Sequence, residues 1–70
     1  MDIRKHSKWL AKRGALYLTF EVIGIWAMGG GVNYKPVSYE LKDPEKTEPV
    51  IVPVEEMIDL IQRKIFIERL

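Results

Sequence analysis

The residues best suited to chemistry are few, and their spacing argues against an enzyme. His6 and Ser7 are adjacent, so on a strand their side chains would point to opposite faces. A serine nucleophile needs a base that an acid holds in place. Glu55 and Glu56 are adjacent acids at the expected start of a helix, where they suit the helix dipole. We therefore predict no catalytic residues and no enzymatic activity.

Metal and cofactor sites find equally little support in the sequence. The chain has no cysteine and one histidine, which removes thiolate sites and argues against a histidine-based zinc site within one chain. The run MGGG at residues 28–31 lacks the Lys-Ser/Thr ending of a phosphate loop, although its consecutive amides could form a nest for an anion. We predict no cofactor and no metal.

Aromatic and basic side chains are the most suggestive groups, and they fall into two sets. The first set surrounds the glycine run and is the predicted binding site for a partner protein or a small anionic ligand of nucleotide type: Trp26, Gly29, Gly30, Gly31, Tyr34 and Lys35. The second set, the alternative, is a nucleic-acid site in the amino-terminal segment: Lys8, Trp9, Lys12 and Arg13. Aromatic rings stack on bases and cations meet phosphates, but such groups also suit peptide grooves. A small domain needs large buried side chains as well, which favours Tyr17 or Tyr39 as core residues.

Charge is unevenly distributed along a chain whose net charge is only +1. Residues 1–13 hold five bases against one acid, whereas residues 40–70 hold eight acids against five bases. A basic segment of this kind can meet phosphate, a nucleic acid or an acidic protein surface. A merely solvated basic edge is the competing interpretation, and the composition leaves both open.

Residues 14–32 decide between two architectures. They are long enough for a membrane-spanning helix, and the basic residues before them would keep the amino terminus in the cytoplasm. This is one alternative, a single-span accessory subunit of a membrane complex. Against it, Glu21 lies near the middle and all five glycines fall in the window. Leu16, Leu18, Phe20 and Val22 alternate with the residues at positions 17, 19, 21 and 23, which favours a strand and a hairpin. The absence of cysteine fits the cytoplasmic location that we predict.

The remaining apolar runs predict two more strands, a helix and a final strand. Val37, Tyr39 and Leu41 share one face of the second strand, and VIVPV at residues 50–54 predicts the third. We expect a short helix at residues 55–62 and a strand at residues 64–69. In that last strand the alternation places Ile65 and Ile67 inward and Phe66 outward.

The amino-terminal segment allows two interpretations. IRKHSKWLAKRG can form a helix capped by Gly14. It can also form a strand around residues 7–11 that turns at residues 12–14 with the glycine in the left-handed region. Farther along, residues 22–26 are apolar on both strand faces. Because a strand of this kind is covered on both sides, we expect a second subunit to cover one face of a homo-oligomer.

In the strand interpretation the chain resembles the small SH3-like barrel proteins of phages and bacteria, many of them uncharacterised. The resemblance covers most of the chain and is carried by Trp9, Gly14, FEVIGI at residues 20–25, VSY at residues 37–39 and PVEEM at residues 53–57. It implies one domain, residues 1–70, with a mainly β (α+β) fold, an SH3-like barrel of about five strands with one short helix near the carboxyl terminus. By analogy it implies a binding role.

We therefore predict a non-catalytic binding module, a small phage or bacterial accessory protein. It would bind a partner protein or sequester a nucleotide-type ligand. The alternatives are a nucleic-acid-binding small barrel and the single-span membrane subunit.

Overall fold

The structure, a computed structural model, describes residues 3–70. Within those residues five strands form one open antiparallel sheet in the order β4-β3-β2-β1-β5, and one short helix packs against it. In chain order the elements are β1 (Lys8–Arg13), β2 (Leu16–Met28), β3 (Lys35–Lys42), β4 (Val50–Pro53), α1 (Val54–Gln62) and β5 (Phe66–Arg69). The predicted mainly β fold with five strands and one short helix is confirmed.

The amino-terminal segment forms a strand rather than a helix. β1 pairs with β2 on one side and with β5 on the other, so both of its edges are hydrogen-bonded. Arg13 lies opposite Leu16, which leaves Gly14 and Ala15 as a two-residue loop instead of the expected turn at residues 12–14. Gly14 has φ +65°, a conformation that glycine adopts without steric cost and that tight hairpin turns require.

β2 is the longest strand, and it pairs with both β1 and β3. Phe20 and Val22 are buried on its inner face, as the alternation predicted, whereas Leu16 at its start is exposed. The pairing with β3 shifts between Val22 and Gly24, and such a bulge bends a strand. In residues 3–70 no helix has the length and apolar character that a membrane span requires. Most of the window proposed as a span forms this strand.

β3 and β4 complete one side of the core. Tyr39 and Leu41 are buried, and Val52 of β4 lies opposite Tyr39. Tyr39, and not Tyr17, is therefore the buried tyrosine. Val37 departs from the expected pattern, since it is 43% exposed. It lies beyond the last pair of β3 with β4, Ser38 opposite Pro53.

α1 begins at Val54 and ends at Gln62, close to the predicted 55–62. Met57 on its inner face is completely buried. Glu55 and Glu56 occupy its first turn, where negative charge suits the amino-terminal end of the helix dipole.

The predicted orientation of β5 is wrong. Phe66 is the buried residue, at 8% exposure, whereas Ile65 and Ile67 are 41% and 50% exposed. The helix ends in a turn in which Lys64 has φ +59° and the Ile65 N–H donates to the Leu60 carbonyl. This turn resets the strand phase, so that Phe66 meets the Phe20 ring at 5.3 Å between centroids.

The loop that follows β3 is held by a buried carboxylate. Asp43 is 1% exposed. Its Oδ1 accepts the Glu45 backbone N–H at 2.9 Å, and its Oδ2 accepts from Arg13 Nη2 at 3.3 Å. The same guanidinium reaches Glu45 Oε1 at 2.6 Å and lies over the Phe20 ring. Arg13 thus joins β1 to this loop.

These contacts predict a loss of stability in acid. The Glu45 N–H, followed by the Arg13 guanidinium, lowers the pKa of Asp43 against the opposing effect of burial. The pKa of Asp43 is lower in the folded protein than in the unfolded chain. The ionised Asp43 carboxylate therefore adds its full contribution to the free energy of unfolding above about pH 4, and this contribution is lost as pH falls through the folded pKa. We expect the urea midpoint of unfolding to be higher for wild type than for Asp43→Asn at neutral pH. The difference between the two midpoints should become smaller in acid. Asp59→Asn, at an exposed carboxylate, is the control, and a gap independent of pH would contradict the assignment.

Candidate functional site

The distal end of the β2–β3 hairpin projects beyond the rest of the sheet. We call residues 26–37 the hairpin arm. β4 pairs with β3 only as far as Ser38, so the arm is a two-stranded ribbon in which Ala27 lies opposite Pro36 and Met28 opposite Lys35. Every residue of the arm is exposed except Pro36, which is half-buried. The arm therefore adds no residue to the buried core.

Large apolar side chains are concentrated on this exposed arm. They are Trp26, Met28, Val32, Tyr34 and Val37, with exposures of 60%, 67%, 100%, 52% and 43%. Isolated exposed apolar residues are ordinary, but a concentration of them on one projecting element favours a protein-binding surface. Trp26 and Met28 lie two residues apart on β2 and so share a face.

The arm and its base are also nearly free of charge. Among residues 22–39 only Lys35 is charged, in a chain whose charged share is 30%. Glu21 and Glu40 bound this interval at the two sides of the hairpin. Charged side chains are costly to desolvate, so the interval can be buried against another molecule at low cost.

Glycine shapes the tip of the arm. Gly29 and Gly31 have φ +73° and +56°, as expected for a turn that needs positive φ. Residues 31–33 form a single 3-10 turn. The Asn33 N–H donates to the Gly30 carbonyl at 2.9 Å, and the Tyr34 N–H donates to the Gly31 carbonyl at 3.2 Å. These two amides are therefore occupied within the turn.

Gly29 and Gly30 should respond very differently to alanine. A Cβ at Gly29 would lie 2.4 Å from the Asn33 carbonyl oxygen, whereas a Cβ at Gly30 would meet nothing within 4 Å. Gly29→Ala therefore combines a backbone collision with an unfavourable φ, at a cost of about 1–3 kcal/mol. We expect it to displace the tip, seen as amide NMR shifts at residues 28–34. Gly30→Ala should change only its immediate neighbours, and equal perturbation by both would contradict this geometry.

The structure gives the four residues of the alternative nucleic-acid site different environments. Trp9 is 3% exposed and its Nε1 donates to Ser7 Oγ at 3.0 Å, so its ring cannot stack on a base. Arg13 is engaged by Asp43 and Glu45. Lys8 and Lys12 remain exposed on the outer face of β1.

Among the described residues, the side chains of His6 and Ser7 have different hydrogen-bond partners. His6 lies in a turn with φ +73°, and its Nδ1 is 3.5 Å from Glu21 Oε2. Ser7 Oγ instead donates to the Arg4 carbonyl at 2.6 Å. Within residues 3–70, no group of three or more histidines and carboxylates is placed to hold a metal ion.

A shallow groove of about 460 Å³ lies where α1 and β5 meet. Its lining is mainly apolar and includes Ile61, Phe66 and Ile67, with Lys64 and Glu68 as its charged residues. None of the residues predicted to bind a partner protein or an anionic ligand lines this groove, so the arm remains the candidate docking surface.

Sequence reasoning found part of the arm and missed part of it. It identified Trp26, Tyr34 and Lys35, which flank the three glycines. It missed Met28 and Val32, the two most exposed of the five large apolar residues, and it placed Val37 on the inner face of its strand. The absence of acids between Glu21 and Glu40 was the signal that could have found them.

Residues that the sequence predicted to bind a ligand or partner therefore lie exposed on two surfaces, the arm and the outer face of β1. Comparison with protein-family models, with curated proteins and with solved structures gave no match to this chain.

Proposed function

We propose that this protein is a non-catalytic binding module that docks onto a partner protein through the hairpin arm. The observation that carries the proposal is the group of five large apolar side chains exposed on a projecting, almost uncharged ribbon. Exposed tryptophan, tyrosine and methionine are enriched in the centres of protein interfaces. The partner would offer an apolar cleft, with a carboxylate to meet Lys35.

A protein partner is better supported than a small nucleotide-type anion. The Asn33 and Tyr34 amides already donate within the tip, and the Asn33 carbonyl oxygen lies against Gly29. A carbonyl oxygen disfavours an anion at that point. Lys35 is the one cation of the arm, which is little charge for a phosphate group.

The finer fold assignment is also a proposal. An SH3-like barrel would need the sheet to curl until its two halves face each other. The bulge at Ile23 bends β2, and α1 contacts β3, β4 and β5 between the two edge strands. Both features favour such closure. The homo-oligomer stays a prediction, with Val22 buried in its own chain and Ile25 half-buried.

Site-specific photocrosslinking tests the docking role. A benzophenone amino acid replaces Tyr34 in one variant and Tyr17 in the other, since both tyrosines are exposed. Tyr17 lies near the start of β2, whereas Tyr34 precedes Lys35, which lies opposite Met28 at the other end of β2. After irradiation in the native cells, we expect a discrete protein adduct from position 34 and none of the same mass from position 17.

Three other outcomes would count against the proposal. The same adduct from both positions would place the contact elsewhere. An adduct with a second copy of this chain would make the arm a self-association surface. A lipid adduct from position 34, with no protein adduct, would make it a membrane anchor.

A further inference from the structure

We propose that the outer face of β5, β1 and β2 binds single-stranded nucleic acid. This basic face consists of Lys8, Lys12 and Arg69 with the apolar and aromatic side chains between them: Leu10, Ile67 and Tyr17. The inference does not depend on the hairpin arm, which lies at the other end of β2. Unlike the nucleic-acid site predicted from the sequence, this basic face does not include Trp9 or Arg13.

Strand register brings these side chains together. Lys8 lies between Arg69 of β5 and Glu21 of β2. One row along, Leu10 lies between Ile67 and Thr19, and in the next row Lys12 lies opposite Tyr17. Directly paired residues project from the same face of a sheet. Lys8 and Lys12 are separated by four residues, or about 13 Å along the strand, so the two cations can contact different phosphates of one strand.

The positive charge of this face is largely uncompensated. In the described part of the chain, Lys8, Lys12 and Arg69 take part in none of the ion pairs. Lys8 and Arg69 are directly opposed like charges, an arrangement that destabilises a sheet. Glu21 is the one acid in these rows, and it lies 3.5 Å from His6. A polyanion would relieve this repulsion.

The aromatic and apolar side chains favour a single strand over a duplex. Tyr17 is 63% exposed and lies beside Lys12. Ile67, at 50% exposure, lies in the row between the cations. Unpaired bases stack on such side chains while cations hold the backbone. A duplex would present mainly phosphates to this face, because its bases are stacked inside the helix.

Fluorescence anisotropy of a labelled oligothymidylate tests the inference with the full chain. Three phosphate contacts to a single strand predict a slope of about −2 in log K against log salt, or roughly a fifteenfold loss for about a fourfold rise in salt. Lys8→Glu with Lys12→Glu should remove most binding. Lys46→Glu with Lys64→Glu, at two exposed lysines outside both proposed binding surfaces, changes net charge equally and should bind nearly as wild type. Tyr17→Ala should weaken binding by about tenfold and leave the slope unchanged.

Circular dichroism should show that all three variants are folded, since the changed side chains are exposed. Equal losses in both double variants would show that net charge, not this face, governs binding, and would overturn the inference. Tighter binding to a duplex than to the single strand, or equal binding to a polyglutamate peptide, would also overturn it. So would an unchanged affinity in Tyr17→Ala.

Discussion

Trp9→Ala should unfold much of the protein, whereas Trp26→Ala should leave it as stable as wild type. The two tryptophans differ in environment, with exposures of 3% and 60%. Truncating a buried tryptophan costs about 3–5 kcal/mol, and a domain of this size has a total stability of roughly 3–5 kcal/mol. A surface change away from special features stays within about 0.5 kcal/mol.

Urea unfolding followed by far-ultraviolet circular dichroism measures this difference, because tryptophan fluorescence would itself change in the variants. Trp9→Ala should lose its folded baseline or shift to a far lower midpoint. Trp9 also bonds to Ser7, so the segment before β1 should loosen with it. A stable Trp9→Ala variant would contradict its place in the core. Destabilisation by Trp26→Ala would show that the arm supports the fold.

Met57→Ala should also destabilise the protein strongly. Met57 is completely buried on the inner face of α1, and the helix joins β3, β4 and β5 through its contacts. Removing a buried methionine side chain costs about 2–5 kcal/mol because a cavity remains.

Met28→Ala is the matched control, since Met28 is 67% exposed on the arm. Thermal melts of both variants should show a large drop in Tm for Met57→Ala and little change for Met28→Ala. Met28→Ala should instead weaken docking onto the partner. Similar Tm values for the two variants would mean that α1 is not packed as described.

Local patterns predicted the strands that have one buried face. The alternation through Phe20 and Val22, and through Tyr39 and Leu41, placed β2 and β3 correctly. The register shift at Ile23 lies outside the interval from Phe20 to Val22 and inserts no residue between Tyr39 and Leu41, so these side chains keep the alternating phase. The prediction failed at Val37, which lies next to a register shift of the β2–β3 pairing.

The errors arose where contacts distant in sequence decide the outcome. Nothing local distinguishes Trp9 from Trp26, because their burial depends on which strands pair around them. Phe66 faces inward because the turn at Lys64 resets the phase after α1. β1 is a strand because β2 and β5 flank it, and its own residues also suit a helix.

The candidate site was only partly visible for a similar reason. The glycines and their flanking aromatic residues marked a turn, and its position in the hairpin followed from the alternating strands. The projection of the arm depends on where β4 stops pairing, at Ser38. The point where pairing stops depends on the length of β4, and the residues of the arm carry no information about that length.

Competition against the photocrosslink at position 34 tests the docking account most directly. The irradiated variant is mixed with an excess of purified wild-type protein or of purified Trp26→Ala, after both are shown to be equally folded. We predict that wild type suppresses the partner adduct and that Trp26→Ala does not. Equal suppression by the two proteins would contradict the account, because the exposed tryptophan of the arm would then contribute nothing to partner binding.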